Sequence, residues 1–214
     1  MTSLQLQLPP IPSHWHDAVD LLDLDWSVLP SLPALRHYHG RASAQHQTVL
    51  RAGADQQAFA VHFQCTDPDI WATMSERDQP IYEEEVVELF LSPGPDIPTD
   101  YFEFEINPDG VLFDARIHNP GDGGRVIVDS AWDCPGIRWA AARHDAANQW
   151  EACLYLPWAG LLGSAPPPRI WRGNFYRIER PREASAEFSC WSPTLVEPAN
   201  FHVPARFGTL IRPD

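Results

Sequence analysis

Glutamates stand beside large apolar residues in two short runs. Glu88 lies in VVELFL (residues 86–91), and Glu103 and Glu105 lie in YFEFEI (residues 101–106). A carboxylate is costly to bury unless it is paired or hydrogen-bonded. Such runs therefore predict strands with one dry face and one polar, structured face. Arg77, Arg116, Arg177, Asn174 and the aromatics Trp71, Tyr82 and Trp191 lie in or near comparable segments. Planar arginine and carboxylate groups hydrogen-bond vicinal hydroxyls, while aromatic rings stack on the C–H faces of sugars. The chemistry on offer is recognition of a polyhydroxylated ligand through Trp71, Arg77, Tyr82, Glu88, Glu103, Arg116, Asn174, Arg177 and Trp191. The same charges also suit ordinary cross-strand ion pairs, each worth roughly 0.2–1 kcal/mol.

Signals for catalysis are sparse. The chain has no G-x-S-x-G, no H-E-x-x-H and no phosphate-binding glycine loop. Glu88 and Glu103 would hydrolyse a glycoside only at a defined separation, with one carboxyl held protonated. Asp67, Asp69 and Asp78 share one long loop and offer hard oxygen ligands for a structural calcium ion, although their spacing is not that of an EF-hand and turn or capping roles suit them equally. His14/His16 and His37/His39 have the i, i+2 spacing that shares one side of a strand. Cys65, Cys134, Cys153 and Cys190 form no C-x-x-C pair or zinc pattern and read as four thiols. Met74 or a histidine would have to serve as axial ligand if the chain were a haem- or metal-binding redox domain.

Alternation identifies the elements that must position these groups. Residues 58–65 place Phe59, Val61, Phe63 and Cys65 on one face. Val87, Leu89 and Leu91 oppose Glu88, and Phe102, Phe104 and Ile106 oppose Tyr101, Glu103 and Glu105. Residues 101–106 and 111–117 flank Asn107-Pro108-Asp109-Gly110, which has turn residues throughout and predicts a β-hairpin. Further strands are expected at 48–52, 136–142, 150–156, 171–179, 188–192 and 207–211, with one helical turn at 157–162. Residues 1–20 read as an arm, and 18–29 as a short helix or a strand. Residues 119–124 read as a loop. Most of the remaining tryptophans (15, 26, 132, 139, 150, 158 and 171) are expected to pack in the core or under loops.

The pattern is all-β: an antiparallel sandwich of two sheets with roughly ten strands, long loops and little helix. One domain over residues 1–214 accommodates it, with 1–40 as arm and first element. The 29 acidic against 15 basic residues give a net charge of −14, which argues against nucleic acid and anionic membranes as partners. The first twenty residues lack a signal-peptide pattern and no run reaches membrane-span length, so a cytoplasmic setting is expected, or an extracellular one if a leader has been removed.

Residues 77–93, 101–110, 114–120, 171–181, 190–194 (CWSPT) and 201–210 resemble, in order and spacing, the family-9 carbohydrate-binding module superfamily, particularly its stand-alone bacterial members. The resemblance implies a β-sandwich that binds a mono- or oligosaccharide without catalysis, requires no cofactor, and has room for structural calcium ions. It implies a clamp of two aromatics: Trp191 as one jaw, and Tyr82 or Trp71 as the other. The same sandwich is shared with haem-binding domains.

Overall fold

The computed structural model describes residues 4–121 and 123–214. The first three residues of the expected arm and residue 122 of the 119–124 loop lie outside the described residues. Thirteen strands are formed among the described residues: β1 (Gln5–Gln7), β2 (Arg36–His37), β3 (Thr48–Ala54), β4 (Ala58–Thr66), β5 (Val86–Pro93), β6 (Asp100–Ile106), β7 (Leu112–His118), β8 (Ile127–Asp129), β9 (Arg138–His144), β10 (Gln149–Pro157), β11 (Ile170–Glu179), β12 (Glu187–Cys190) and β13 (Gly208–Ile211). A single five-residue α-helix, Trp158–Leu162, follows β10 where a helical turn is expected. The sandwich and most strand positions agree with the sequence pattern. The extra strands β1, β2 and β8 are two or three residues long, too short for alternation to reveal.

The smaller sheet runs β3-β4-β10-β9. The larger runs β1-β13-β11-β5-β6-β7-β8, with β12 beside β11 and β2 beyond it. Pairing is antiparallel except between β1 and β13, which are parallel. Phe59, Val61 and Phe63 of the small sheet face Val87, Leu89, Phe104 and Phe175 of the large one, and all of these are fully or almost fully buried. This inter-sheet layer is the main core, and removal of its apolar surface from water supplies the chief driving force for folding. The hairpin between β6 and β7 forms as predicted. Asn107 Oδ1 accepts from the amides of Asp109 and Val111, and Gly110 adopts φ +82°, a conformation that suits glycine because it has no Cβ.

Two further apolar layers flank this core. Leu21, Trp15, Trp26 and Leu29 of the N-terminal region cover Ala58, Ala60 and Cys153 on the outside of the small sheet. The arm therefore serves as a packed lid, not a tail. His14 and His16 sit in a 3-10 turn, Ser13–Asp17, so strand spacing does not apply to them. On the outer face of the large sheet, Val86, Phe90, Tyr101, Phe113 and Tyr176 pack under Phe201 and Phe207. That third layer is incomplete, and the gap in it is a pocket.

Candidate functional site

The pocket floor follows from strand register. Glu88 of β5 lies directly opposite Glu105 of β6, and Glu103 lies opposite Phe90. Alternation sends Glu88, Glu103 and Glu105 to the outer face. One wall is the segment after β12, tied to the sheet at several points. The Phe201 ring stacks on Tyr176 at 4.2 Å between centroids, and Tyr176 Oη donates to the Phe201 carbonyl at 3.1 Å. Asn119 Nδ2 donates to the His202 carbonyl at 3.1 Å, and Tyr101 Oη lies 2.7 Å from His202 Nδ1. The opposite wall is the loop before β5, where the 3-10 turn Ile81–Glu83 buries Ile81 and leaves Tyr82 43% exposed. Tyr82 meets Phe113 edge-on at 6.0 Å. Between the walls is a cavity of about 610 Å³, also lined by Arg180, Phe188 and Asn200.

The three floor glutamates are at most 4% exposed, and one carboxylate oxygen from each falls within 4.8 Å of the others. Burial disfavours the charged form, and neighbouring like charges add to the effect. Glu88 is held well above the usual carboxylate range by desolvation and then by Glu103. Glu105 is likewise raised by desolvation and then by Glu88 and Glu103. Desolvation brings Glu103 to about 7. His202 Nε2 is 3.8 Å from Glu103, but burial lowers this imidazole to about 4, leaving it uncharged at neutral pH. Arg180 offsets Glu88 from a distance; its guanidinium donates to the Tyr82 carbonyl at 3.3 Å and lies over the Phe188 ring.

Of the residues selected from sequence, Tyr82, Glu88 and Glu103 meet in this pocket, and Asp78 also lines it. The others are placed elsewhere. Trp191 is 3% exposed, packs edge-on against Phe175 and covers Gly208 so closely that a Cβ there would overlap its ring. It is a core residue and does not face Tyr82 or Trp71 across an open cleft. Arg177 shares its face with Phe175, so it points between the sheets, where it pairs with Asp67 at 3.4 Å and with Glu179. Asn174 is fully buried and exchanges hydrogen bonds with the Ser192 backbone. Arg116 is exposed, lies over Trp132 at 4.8 Å and lines a neighbouring cavity of about 630 Å³ along β8. That cavity is slightly larger but has no comparable cluster of buried polar groups. Arg77 is held by Asp114 (2.5 Å) and Asp133 (2.7 Å). Trp71 donates to the Arg180 carbonyl at 2.6 Å from outside the pocket.

The aspartates of the long loop do not converge. Asp67 joins Arg177 and accepts from Trp150 Nε1, Asp69 holds Arg182, and Asp78 lies with Asp114 and Asp133 near Arg77. As one three-aspartate calcium site they are corrected by the geometry. His37 and His39 stack ring on ring at 4.0 Å. Met74 packs at the margin of the outer apolar layer. The sequence reading missed the contributions of Glu105, Arg180, Phe188, Phe201 and His202. Alternation already placed Glu105 with Glu103, whereas the wall residues come from a loop whose return over the sheet has no local signature.

With this geometry in place, relatives can be compared. The sequence profile of carbohydrate-binding family 9 matches residues 43–211. The chain belongs to carbohydrate-binding family 9. A curated relative named "Extracellular protein", from the fungus Arthroderma benhamiae, is 25% identical over 175 residues, covering 77% of this chain and 78% of its own. Among solved structures, a candidate carbohydrate-binding protein from Bacteroides uniformis superposes with a TM-score of 0.78 at 21% identity, covering 99% of this chain and 100% of its own. A family-9 module from Caldicellulosiruptor kristjanssonii in complex with glucose gives a TM-score of 0.67 at 15% identity, covering 98% and 95%. Its complex with cellotriose gives 0.61 at 15%, covering 98% and 92%. At these identities the structural likenesses establish the shared sandwich. The family match points to carbohydrate binding.

Proposed function

We propose that this family-9 protein is a non-catalytic binder of a mono- or oligosaccharide, taken into the pocket on the outer face of the large sheet. The observation that carries this reading is the convergence of buried carboxylates with aromatic walls in one cavity. Tyr82 offers the exposed ring for stacking, and Glu88 and Glu103 offer oxygens to sugar hydroxyls. The glucose and cellotriose complexes of the Caldicellulosiruptor module support a sugar as the ligand class. The name of the fungal relative supports an extracellular setting over a cytoplasmic one. Among the described residues no helix is long and apolar enough to cross a membrane.

Calorimetry against a panel of mono- and disaccharides, including glucose and cello-oligosaccharides, tests the reading. We expect saturable heat with at least one sugar, weakened several-fold in Tyr82→Ala and in Glu103→Gln. No heat with any sugar, or an affinity indifferent to both substitutions, would refute it.

A further inference from the structure

Strand β11 has β5 along one edge and two different strands along the other. Residues 170–173 pair with β13, and residues 176–179 pair with β12. The two partners diverge at Asn174 and Phe175, and Trp191 fills the fork. Its amide donates to the Phe175 carbonyl at 2.9 Å, and its ring lies on Gly208 of β13. Outside the fork is a cavity of about 450 Å³, which shares no lining residue with the pocket on the outer face. No carboxylate lines it, although the sequence has 29 acidic against 15 basic residues. Arg36 and Arg206 do line it, each steadied by a backbone carbonyl. Arg36 Nη2 donates to Gly40 at 2.7 Å and Arg206 Nε to Pro193 at 3.1 Å. Neither pairs with a carboxylate among the described residues, which leaves their remaining guanidinium N–H groups to solvent or a ligand.

Two buried donors in the same wall lack acceptors. Trp191 is 3% exposed and Ser192 9%. The Trp191 indole Nε1–H and the Ser192 hydroxyl make no hydrogen bond among the described residues. Trp150, Trp158 and Trp171, buried in the same core, each donate through Nε1. Neither unbonded atom is sealed inside the protein, so the cavity they line is where an acceptor can reach them. Buried polar groups are nearly always satisfied, and an exception calls for an explanation from outside the chain. The wall thus offers two guanidinium groups, two neutral donors and no acid, and the rest of it is largely apolar, with Leu4, Pro33 and Pro193. Guanidinium groups take carboxylates through paired hydrogen bonds. An apolar cavity with a few placed polar groups is the usual form of a small-molecule site.

We propose that this cavity binds an organic monocarboxylate. Its carboxylate rests on Arg36 and Arg206 beside the Trp191 Nε1–H, and its apolar body lies against Leu4, Pro33 and Pro193. The site is independent of the sugar reading: it is a different pocket, with the opposite charge, and it uses the edge of an indole instead of a ring face. The chain's net negative charge is screened beyond about 8 Å at physiological ionic strength, so the local pair of arginines governs what enters.

The test is titration of the protein with sodium benzoate, followed by nuclear magnetic resonance at the Trp191 indole N–H signal. We expect a saturable shift, with affinity weakened about tenfold in Arg36→Gln and in Arg206→Gln. It should be unchanged in Arg182→Gln, which removes a charge outside the cavity. Arg36 is exposed and Arg206 half-buried, so both variants should stay folded, which circular dichroism checks. Arg206→Lys keeps the charge without the fork and should bind benzoate with intermediate affinity. Benzyl alcohol, the neutral counterpart, should leave the signal in place. No saturable shift at millimolar benzoate would overturn the proposal, as would indifference to both glutamine substitutions. Equal affinity for benzyl alcohol or for inorganic phosphate would overturn it too. Neither the probes nor the variants involve the outer-face pocket, so failure of this site and failure of the sugar reading are separate results.

Discussion

Two carboxylate clusters of the large sheet make the sharpest contrast in the molecule. Each brings three acidic side chains within 4.8 Å. The inner cluster, Asp67, Glu85 and Glu179, sits between the sheets and encloses Arg177, which is 1% exposed. Trp150 Nε1 and the Trp71 amide donate to it as well. The outer cluster, Glu88, Glu103 and Glu105, has comparable burial but a cavity in place of an internal cation. A buried charge must be paired or neutralised. The inner cluster meets much of that requirement from its own chain, through Arg177 on Asp67 and Glu179 and a proton retained on Glu85. The outer one is left to protons or to something from solution, the state expected of a binding site that keeps its polar groups available.

The largest effect should come from removing the internal cation. Arg177→Met leaves buried Asp67 and Glu179 without their cation, and we expect a loss of about 3–5 kcal/mol in urea unfolding. Loss of under 1 kcal/mol would erase the distinction between the clusters. Trp191→Ala should cost a similar ~3–5 kcal/mol by opening a core cavity beside Phe175 and Gly208, whereas a jaw exposed to ligand would show little stability change. Stability should depend on pH through both clusters. Glu103 and Glu179 are raised to about 7 and Glu85 to about 9. A carboxyl raised on folding is stabilising while protonated, fully so below its unfolded value, and that contribution is lost as pH rises through the folded value. The melting temperature should therefore fall between pH 5 and 9, with Arg177 and Asp67 facing the inner groups and Arg180 and His202 the outer. Glu85→Gln should flatten the upper part of the fall, and an unchanged curve would remove Glu85 from the account. The smallest effect on the fold should be that of Arg180→Ala at the pocket wall, within ~0.5 kcal/mol, as for surface changes generally. A larger loss would give the outer cluster an internal cation after all.

Alternation along β5 and β6 made the faces legible: Val87, Leu89 and Phe104 inward, Glu88, Glu103 and Glu105 outward. It also set Arg177 in phase with Phe175. Its charge nevertheless suits the polar face, and nothing local reveals that Asp67, 110 positions earlier, lies between the sheets. Trp191 went astray for a related reason. The resemblance assigns it a ligand-facing jaw, but its ring is received by the bare backbone of Gly208. The walls of the pocket, Phe188, Phe201 and His202, depend on a long return over the sheet held by Tyr176 and Asn119. Strand period carries local information, whereas loop placement depends on contacts remote in sequence.

The four buried cysteines are distributed so that every apolar layer contains a thiol. Cys65 and Cys134 lie in the inter-sheet core, Cys153 under the N-terminal cover and Cys190 under the pocket wall. Burial pushes Cys65 up to about 11 and the other three to about 12, so all four are poor nucleophiles while their layer stays closed. Each is thus a clock for its own layer. The order in which a soluble thiol reagent captures them, read by peptide mass, would rank the three layers by how often they open, without any mutation.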